Sequence, residues 1–188
     1  MAKSRPNKIA FQGEPGANSH LACSDAYPDM EALPCATFED ALAAVKSGGA
    51  KLAMIPIENS VAGRVADIHH LLPDSKLYIV GEHFERIRQQ LLALPGTKLS
   101  QLKTVHSHPM ALGQCRKVIK ALKLKTVAEA DTAGAARHLS ELKDRSRAAI
   151  ASSLAADIYG LRIIKSNIED AQHNTTRFVV LAAKPDHA

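Results

Sequence analysis

Short apolar runs alternate with amphipathic segments along most of the chain. Such runs, bounded by polar or glycine-containing segments, predict buried strands. They are KIAFQ (8–12), LAMIPIE (52–58), KTVHS (103–107), RAAIAS (147–152) and RFVVLAA (177–183). The segments between them have helical spacing. Strand–helix alternation at this density predicts βαβ units with a largely parallel sheet.

Local signals predict where several helices begin and end. Thr37 with Asp40 has the spacing of a capping box, and Gly48 follows the helix that this box opens. A further helix is predicted from Gly63 to about Leu72. Another begins at Pro109, where the first helical turn tolerates proline, and is predicted to continue to about Leu122.

The number of elements predicts two small α/β lobes with a cleft between them. Residues 1–80 with 170–188 are assigned to the first lobe and residues 81–169 to the second. The extended stretch 77–94 is predicted to cross between them. Ligands of such folds bind beyond the carboxyl ends of strands, where helix N-termini converge. Polar, small or glycine-rich segments occupy these positions: 13–19, 58–63, 107–109, 131–134, 151–153 and 174–177.

Composition narrows the class of protein and of ligand. The 188 residues can bury a real core, and nothing indicates a disordered or fibrous chain. The net charge of +5 suits an anionic ligand. The one basic cluster, Lys117 to Lys125, lacks interleaved aromatic residues, so a solvated helix face is favoured over nucleic-acid binding. No signal peptide or apolar run of a membrane span is found, so we expect a soluble cytoplasmic protein.

Other kinds of site are disfavoured. The three cysteines are widely spaced and match neither a disulfide framework nor a zinc site. His69-His70 and His106-x-His108 lack partners at ligand spacing, so no metal is predicted. Ser152-Ser153 lacks a nucleophile elbow, and GEPGANS lacks the ending of a phosphate-binding P-loop.

Five motifs together resemble the catalytic domain of prephenate dehydratases. They are IPIENSVAGRV (55–65), SHPMALGQC (107–115), DTAGAA (131–136), AAIASSLAADIYGL (148–161) and NTTRF (174–178). They occur in that family's order and span nearly the whole chain. The resemblance implies two α/β lobes similar to type II periplasmic binding proteins. Most relatives carry a C-terminal regulatory ACT domain. This chain stops at Ala188, so we expect either a naturally short enzyme or one from which that domain has been removed.

The implied reaction converts prephenate into phenylpyruvate, water and CO2. The leaving 4-hydroxyl needs a proton or a strong hydrogen-bond donor, and the pyruvyl carboxylate needs an anchor. No redox or metal cofactor is required. Thr176 occupies the threonine of the family's TRF motif and is the candidate for assisting the hydroxyl. Outside this motif, a lone threonine would simply begin a strand.

Arg177 follows Thr176 directly, and neighbours in a regular strand point to opposite faces. The two side chains therefore have different tasks. Arg177 either binds substrate or pairs with a carboxylate such as Glu58 or Asp170.

The resemblance places further candidates on the other motifs. Asn59, Ser107 and Gln114 are expected to be catalytic with Thr176. Asn59 and Ser60 are also good helix N-caps, and Gln114 could be a surface residue. Ser107 and Gln114, seven positions apart around a helix start, are predicted to share a helix face. The remaining candidates for substrate binding are Ser19, Ser60, His108, Thr132, Ala133 and Arg177.

The start of the helix at Thr132 resembles an anion-binding N-terminus. Some relatives carry a glutamate two residues before this threonine, where the present chain has Ala130 between Glu129 and Asp131. This difference leaves an acid role here without support.

Two other functions stay open at this point. Arogenate dehydratase would perform the same reaction on the aminated substrate. A non-catalytic anion-binding module could share the fold, because fold does not decide function. The resemblance also implies a homo-oligomer, dimer or tetramer.

Overall fold

The computed structural model describes residues 6–185. The first half forms five strands and three helices: β1 (Lys8–Gln12), α1 (Asn18–Ala26), β2 (Glu31–Cys35), α2 (Phe38–Ser47), β3 (Leu52–Asn59), β4 (Gly63–Arg64), α3 (Ala66–Asp74) and β5 (Tyr78–Arg86). The remainder forms β6 (Gln90–Ala93), a 3-10 turn (Leu99–Gln101), β7 (Thr104–Ser107), α4 (Pro109–Gln114), α5 (Arg116–Ala121), β8 (Lys125–Ala128), α6 (Thr132–Leu142), β9 (Arg147–Ala151), α7 (Ser153–Ile158), β10 (Arg162–Lys165) and β11 (Thr175–Ala182).

The chain divides into two compact α/β units, as the fold class predicted. The first unit contains the chain up to Glu14, Asn18–Arg86 and the chain from Thr175, and the second contains Pro15–Ala17 and Ile87–Asn174. The structure changes units at Arg86/Ile87 and Asn174/Thr175, a few residues later than the sequence-based boundaries. The reason is that β5 and the start of β11 pair as far as Arg86 and Thr175.

The first unit is built on a sheet with strand order β2-β1-β3-β11-β5, with β4 paired to β3. Strands β1, β2 and β3 are parallel, whereas β11 is antiparallel to both of its neighbours. One face of this sheet packs an apolar core against α2 and α3, including Ala41, Val45, Ile55, Ile68 and Leu181. The capping box of Thr37 and Asp40 and the left-handed Gly48 at the end of α2 are confirmed.

The second unit has a five-stranded sheet of order β10-β6-β9-β7-β8. Strands β7, β8 and β9 are parallel, and β6 is antiparallel to β9 and β10. The expectation of a largely parallel sheet is therefore wrong for both units. Alternating strands and helices in a sequence do not reveal the direction of strands that return after a long excursion, such as β11.

Two helix predictions are corrected. Gly63 and Arg64 form β4, which pairs with β3, so α3 begins only at Ala66. The helix beginning at Pro109 is interrupted at Cys115. The carbonyl of Gln114 accepts from the amide of Asp170 at 2.6 Å, which takes that carbonyl away from the helix. Within residues 6–185, no helix has both the length and the apolar character that a membrane span needs.

Candidate active site

Two hydrogen-bonded strand ends in the first unit bring Asn59 and Thr176 together. Asn59 is the last residue of β3, and Thr176 is its direct partner in β11. The Asn59 Nδ2 donates to Thr176 Oγ1 at 2.9 Å. The Asn59 Oδ1 accepts from the amides of Val61 and Ala62, both at 2.9 Å, so the amide of Asn59 is held in one orientation.

The direction of this bond decides what the Thr176 hydroxyl can do. Because its oxygen accepts from Asn59, its own hydrogen is directed to another acceptor. An N–H aimed at the oxygen also stabilises negative charge that builds up there when the proton is shared. Ser60 closes the same strand end, since its backbone N–H donates to the Thr175 carbonyl and its Oγ accepts from the Thr175 N–H, both at 2.9 Å.

Arg177 belongs to the opposite face of β11, as strand alternation predicted. Its guanidinium pairs with Glu82 at 2.9 Å and with Glu58 at 3.3 Å, and it lies over the ring of Phe84. These carboxylates, Glu82 foremost, raise the pKa of Arg177. The predicted pairing with Glu58 is confirmed, whereas Asp170 instead accepts from the backbone N–H of Lys117.

A shallow cavity of about 290 Å³ lies on the Arg177 side of the first unit. Its lining comes from the ends of β3 and β11, from β4 and from β5: Glu58, Asn59, Ser60, Gly63, Arg64, Phe84, Thr175 and Arg177. The lining combines polar groups with an exposed aromatic ring.

The face of Thr176 carries a titratable pair that the sequence analysis missed. Glu85 of β5 is the direct neighbour of Thr176 across the strands, and it is buried. Its carboxylate contacts His83 Nε2 at 3.0 Å. The period of two along β5 could have placed both side chains on one face, but only the pairing of β5 with β11 brings them beside Thr176.

Three side-chain amides meet in the second unit. The Gln114 Oε1 accepts from Gln89 Nε2 at 3.2 Å and from Asn174 Nδ2 at 3.0 Å. Both acceptor positions of this oxygen are thus used, and the NH2 group of Gln114 points away from the other two amides. Gln89 was not among the predicted residues, because it is 25 positions from Gln114 and belongs to none of the recognised motifs.

Ser107 and Gln114 do not share a helix face, so this prediction is wrong. Ser107 is the last residue of β7, where helical spacing does not apply. Its side chain is completely buried, and its hydroxyl donates to the carbonyl of Ile150 in β9 at 2.6 Å.

Two helix starts carry the remaining candidates of the second unit. His108 caps α4, and its Nδ1 accepts from the Met110 N–H at 3.2 Å. Thr132 and Ala133 open α6, where the carboxylate of Asp131 accepts from the Gly134 N–H at 2.7 Å. A side chain of the protein therefore already holds one of the amides expected to bind an anion. Ala133 is completely buried, backbone included, so it is not exposed for contact with a ligand.

Glu129, which directly follows β8, is bound by two histidines. It contacts His106 Nδ1 at 3.1 Å and His138 Nδ1 at 3.4 Å, and His106 Nε2 contacts Thr104 Oγ1 at 3.1 Å. The hydrogen bond from His106 lowers the pKa of Glu129. Across the described part of the chain, no group of three or more His, Cys, Asp and Glu side chains could hold a metal ion.

Ser19 lies in the first turn of α1 in the first unit and is half-buried. The structure therefore brings Asn59, Ser60 and Thr176 together at one strand end. Gln114 forms hydrogen bonds with Gln89 and Asn174. The described side-chain hydrogen bonds of Ser107, His108 and the start of α6 go to other groups.

Comparison with known proteins decides the family. A family model described as prephenate dehydratase matches residues 9–186. The chain belongs to the prephenate dehydratase family. Asn59, Ser107, Gln114 and Thr176 all lie within this matched region of the family domain.

Relatives of this family carry more than one activity name. The chain is 51% identical, over 177 residues and 94% of its length, to a bifunctional N-acyl-homoserine lactone acylase/prephenate dehydratase of Komagataeibacter europaeus, of which it covers 63%. It is 45% identical to arogenate dehydratase 1 of Petunia hybrida, with 95% of this chain and 42% of that protein covered. The chain therefore spans less than two thirds of the length of these relatives.

A solved family member has the same fold. The prephenate dehydratase of Arthrobacter aurescens in complex with L-Phe superposes with a TM-score of 0.86 at 30% identity, covering 96% of this chain and 63% of that one.

Proposed function

We propose that this protein catalyses the decarboxylating dehydration of prephenate to phenylpyruvate, water and CO2, a hydro-lyase step in the biosynthesis of L-phenylalanine. The observation that carries this proposal is the hydrogen bond from Asn59 to Thr176, which leaves the hydrogen of the Thr176 hydroxyl to be donated to another group. Family membership supports the choice of substrate.

The reaction needs one proton. The bond between the ring and its carboxylate breaks and releases CO2, and its electron pair enters the ring. The ring electrons then expel the 4-hydroxyl, which leaves as water once it gains a proton. Aromatisation drives the step, so catalysis consists mainly of holding the dianion and assisting the leaving oxygen.

Thr176 assists the leaving hydroxyl in this proposal. A threonine hydroxyl is a weak acid, so it acts as a hydrogen-bond donor and passes on a proton drawn from solvent. Asn59 supports it, because its N–H stabilises the Thr176 oxygen as the proton moves away. Ser60 holds the end of β11 through its hydrogen bond with the Thr175 N–H. Ser60 is also assigned to substrate binding, as is Ser19.

Arg177 is assigned a modified role. The sequence allowed either an anchor for a substrate carboxylate or a pairing with a carboxylate of the protein, and two glutamates share its guanidinium. We assign Arg177 mainly a structural role, in which its ion pairs connect β11 to Glu58 of β3 and to Glu82 of β5. Three of its five N–H groups point to these carboxylates, so an anion at Arg177 would share the guanidinium with them.

In the second unit, Gln114 is assigned to substrate contact through its NH2 group, which points away from Gln89 and Asn174. Ser107 supports this unit by bonding β7 to β9, and we assign it a positioning role because it is buried. His108 and the Thr132 hydroxyl are assigned to the substrate carboxylates, whereas Ala133, which the sequence predicted for substrate binding, is completely buried and is assigned to packing at the start of α6.

The direct test mixes the purified protein with prephenate and follows the absorbance of phenylpyruvate. Saturable turnover supports the proposal. Saturable binding without turnover would favour a binding module instead. Parallel reactions contain arogenate and an N-acyl-homoserine lactone, because relatives carry these names. Turnover of arogenate alone would replace the proposal with arogenate dehydratase, and release of homoserine lactone alone would replace it with an acylase.

Replacement of the threonine tests the mechanism. We expect Thr176→Ala to lower kcat about 100-fold or more while KM changes little, because the lost donor acts on the leaving group in the transition state. Thr175→Ala is the matched control, since this neighbouring threonine faces the cavity of Arg177 and binds Ser60 through its backbone. Near-normal kcat in Thr176→Ala would exclude this role.

A further inference from the structure

Gln89 is a buried side chain whose hydrogen bonding is incomplete. It is 2% exposed. Its Nε2 donates to Gln114, whereas its Oε1 has no hydrogen-bond partner among residues 6–185. A buried amide oxygen without a donor is costly, so such groups in native proteins call for an explanation such as a ligand contact.

The backbone holds Gln89 firmly in place. Its N–H donates to a carboxylate oxygen of Glu169 at 2.9 Å, and its carbonyl accepts from the Ile168 N–H at 2.9 Å. The side chain therefore begins from a fixed point, and its orphaned oxygen is not the result of a loose loop.

The orientation of the Gln89 amide is set by its neighbours. Gln114 Oε1 already accepts from Asn174, and turning the Gln89 amide over would place its oxygen against that oxygen. Two carbonyl oxygens repel each other, whereas the observed orientation gives a hydrogen bond. Gln89 thus offers an acceptor, fixed in direction by Gln114.

The neighbouring glutamine shows what a satisfied amide looks like in the same strand region. Gln90 is 5% exposed, its Nε2 donates to Asn167 Oδ1 at 3.2 Å, and its Oε1 accepts from the Asn167 N–H at 3.1 Å. The fold is therefore able to complete the hydrogen bonds of a buried glutamine at this place, and it does so at Gln90 but not at Gln89.

We propose that Gln89 is a further substrate-contacting residue, whose Oε1 accepts a hydrogen bond from the 4-hydroxyl of prephenate. This inference rests on the proposed function. The prephenate dianion has two carboxylates and a ketone, which only accept hydrogen bonds, and its ring hydroxyl is the one donor. The bond to Gln114, which the proposed function assigns to substrate contact, is what places Gln89 beside the substrate, and an acceptor oxygen there matches the ring hydroxyl alone.

The contact also favours the reaction. As the C–O bond breaks and the oxygen gains its second proton, the O–H groups of the nascent water become more acidic. The hydrogen bond to Gln89 then strengthens in the transition state, which lowers the barrier more than it tightens substrate binding. Gln89 fixes the rotation of the hydroxyl, so the lone pairs of its oxygen stay available for the incoming proton.

The test compares Gln89→Met with Gln90→Met. Methionine fills a similar volume without polar atoms. We expect Gln89→Met to lower kcat for prephenate about 10-fold to 100-fold with KM changed less than about threefold. Its Tm should stay within about 2 °C of the wild type, because an orphaned acceptor is removed together with one hydrogen bond. Gln90→Met should lower Tm by about 2–4 °C for each lost hydrogen bond and leave kcat near normal.

Inhibition by phenylpyruvate separates a hydroxyl contact from a distorted site. This product lacks the ring hydroxyl, so its Ki should not change in Gln89→Met. Normal kcat in Gln89→Met, or a Ki weakened in step with kcat, would overturn the inference. Inactivity of the wild type towards prephenate would instead overturn the proposed function itself. If Gln89→Met does not fold, Gln89→Leu is measured in its place.

Discussion

Asn59 determines the direction of the hydrogen bond at Thr176, because its NH2 group is the donor. Replacing this NH2 group with an oxygen would reverse the direction of the bond. In Asn59→Asp one carboxylate oxygen still accepts from Val61 and Ala62, so the turn is kept. The other oxygen replaces the N–H and accepts the Thr176 proton. We expect kcat to fall about 100-fold or more with little change in KM, measured by steady-state kinetics.

A double mutant checks that the two residues act as a unit. If Asn59 works only through Thr176, then Asn59→Asp combined with Thr176→Val should be no slower than Thr176→Val alone. Losses that multiply in the double mutant would show that Asn59 acts independently of Thr176. Thermal melts of all three variants confirm that the fold is kept.

At residue scale, the sequence predicts most directly what a local pattern determines. The capping box at Thr37 involves residues three positions apart, and the opposite faces of Thr176 and Arg177 follow from a period of two. The second carboxylate at Arg177, Glu82, is 95 positions away and depends on how β5 pairs. The Gln89 contact likewise required the structure, because no local pattern connects it to Gln114.

At the scale of elements, the three residues Pro15–Ala17 illustrate a packing constraint. The Ser152 Oγ donates to the Gly16 carbonyl at 2.6 Å, and the Tyr159 hydroxyl donates to the Pro15 carbonyl at 2.8 Å. These donors flank α7. Gly16 has φ of +89°, and a Cβ added there would lie 2.8 Å from the Cα of Ala155. The segment therefore packs directly on the first turn of α7.

Gly16→Ala should destabilise the protein through both strain and overlap. We expect a loss of about 3 kcal/mol, from the left-handed backbone and from overpacking against Ala155. Gly160→Ala is the matched control in the same unit, since Gly160 has φ of +63° with open space around its Cβ position. It should lose only about 1–2 kcal/mol. Urea unfolding measures both, and equal losses would show that the overlap relaxes without cost.

Strand direction in the two sheets could not be predicted from the sequence. The apolar pattern of β11 located this strand correctly, but a buried strand has the same pattern in either direction. Its antiparallel direction follows from the path of the chain, which returns to the first unit only after residues 87–174. The break at Cys115 escaped for a similar reason, because its cause is the distant amide of Asp170.

At the scale of the whole molecule, the stability of the first unit depends on two distant parts of the chain being held together, whereas most of the second unit is one continuous segment. Strands β5 and β11 pair at Arg86 and Thr175, and the entire stretch 87–174 of the second unit lies between them. When the second unit unfolds, this stretch becomes a flexible loop. Closing a loop of this length costs about 4 kcal/mol, which is a large part of the stability of a typical domain. The second unit, in contrast, is formed by the continuous stretch 87–174 together with the three residues Pro15–Ala17.

This asymmetry predicts the order in which two buried thiols become reactive. Cys23 lies in the first unit and Cys115 in the second, and burial raises the pKa of each to about 12. Native thiols therefore resist alkylation near pH 8, while unfolded ones react. In a Cys35→Ala background, pulse alkylation across a urea series should show Cys23 reacting at or below the concentration that exposes Cys115. Protection of Cys23 at urea concentrations where Cys115 is fully labelled would contradict the prediction, because the first unit would then be stable around an open loop.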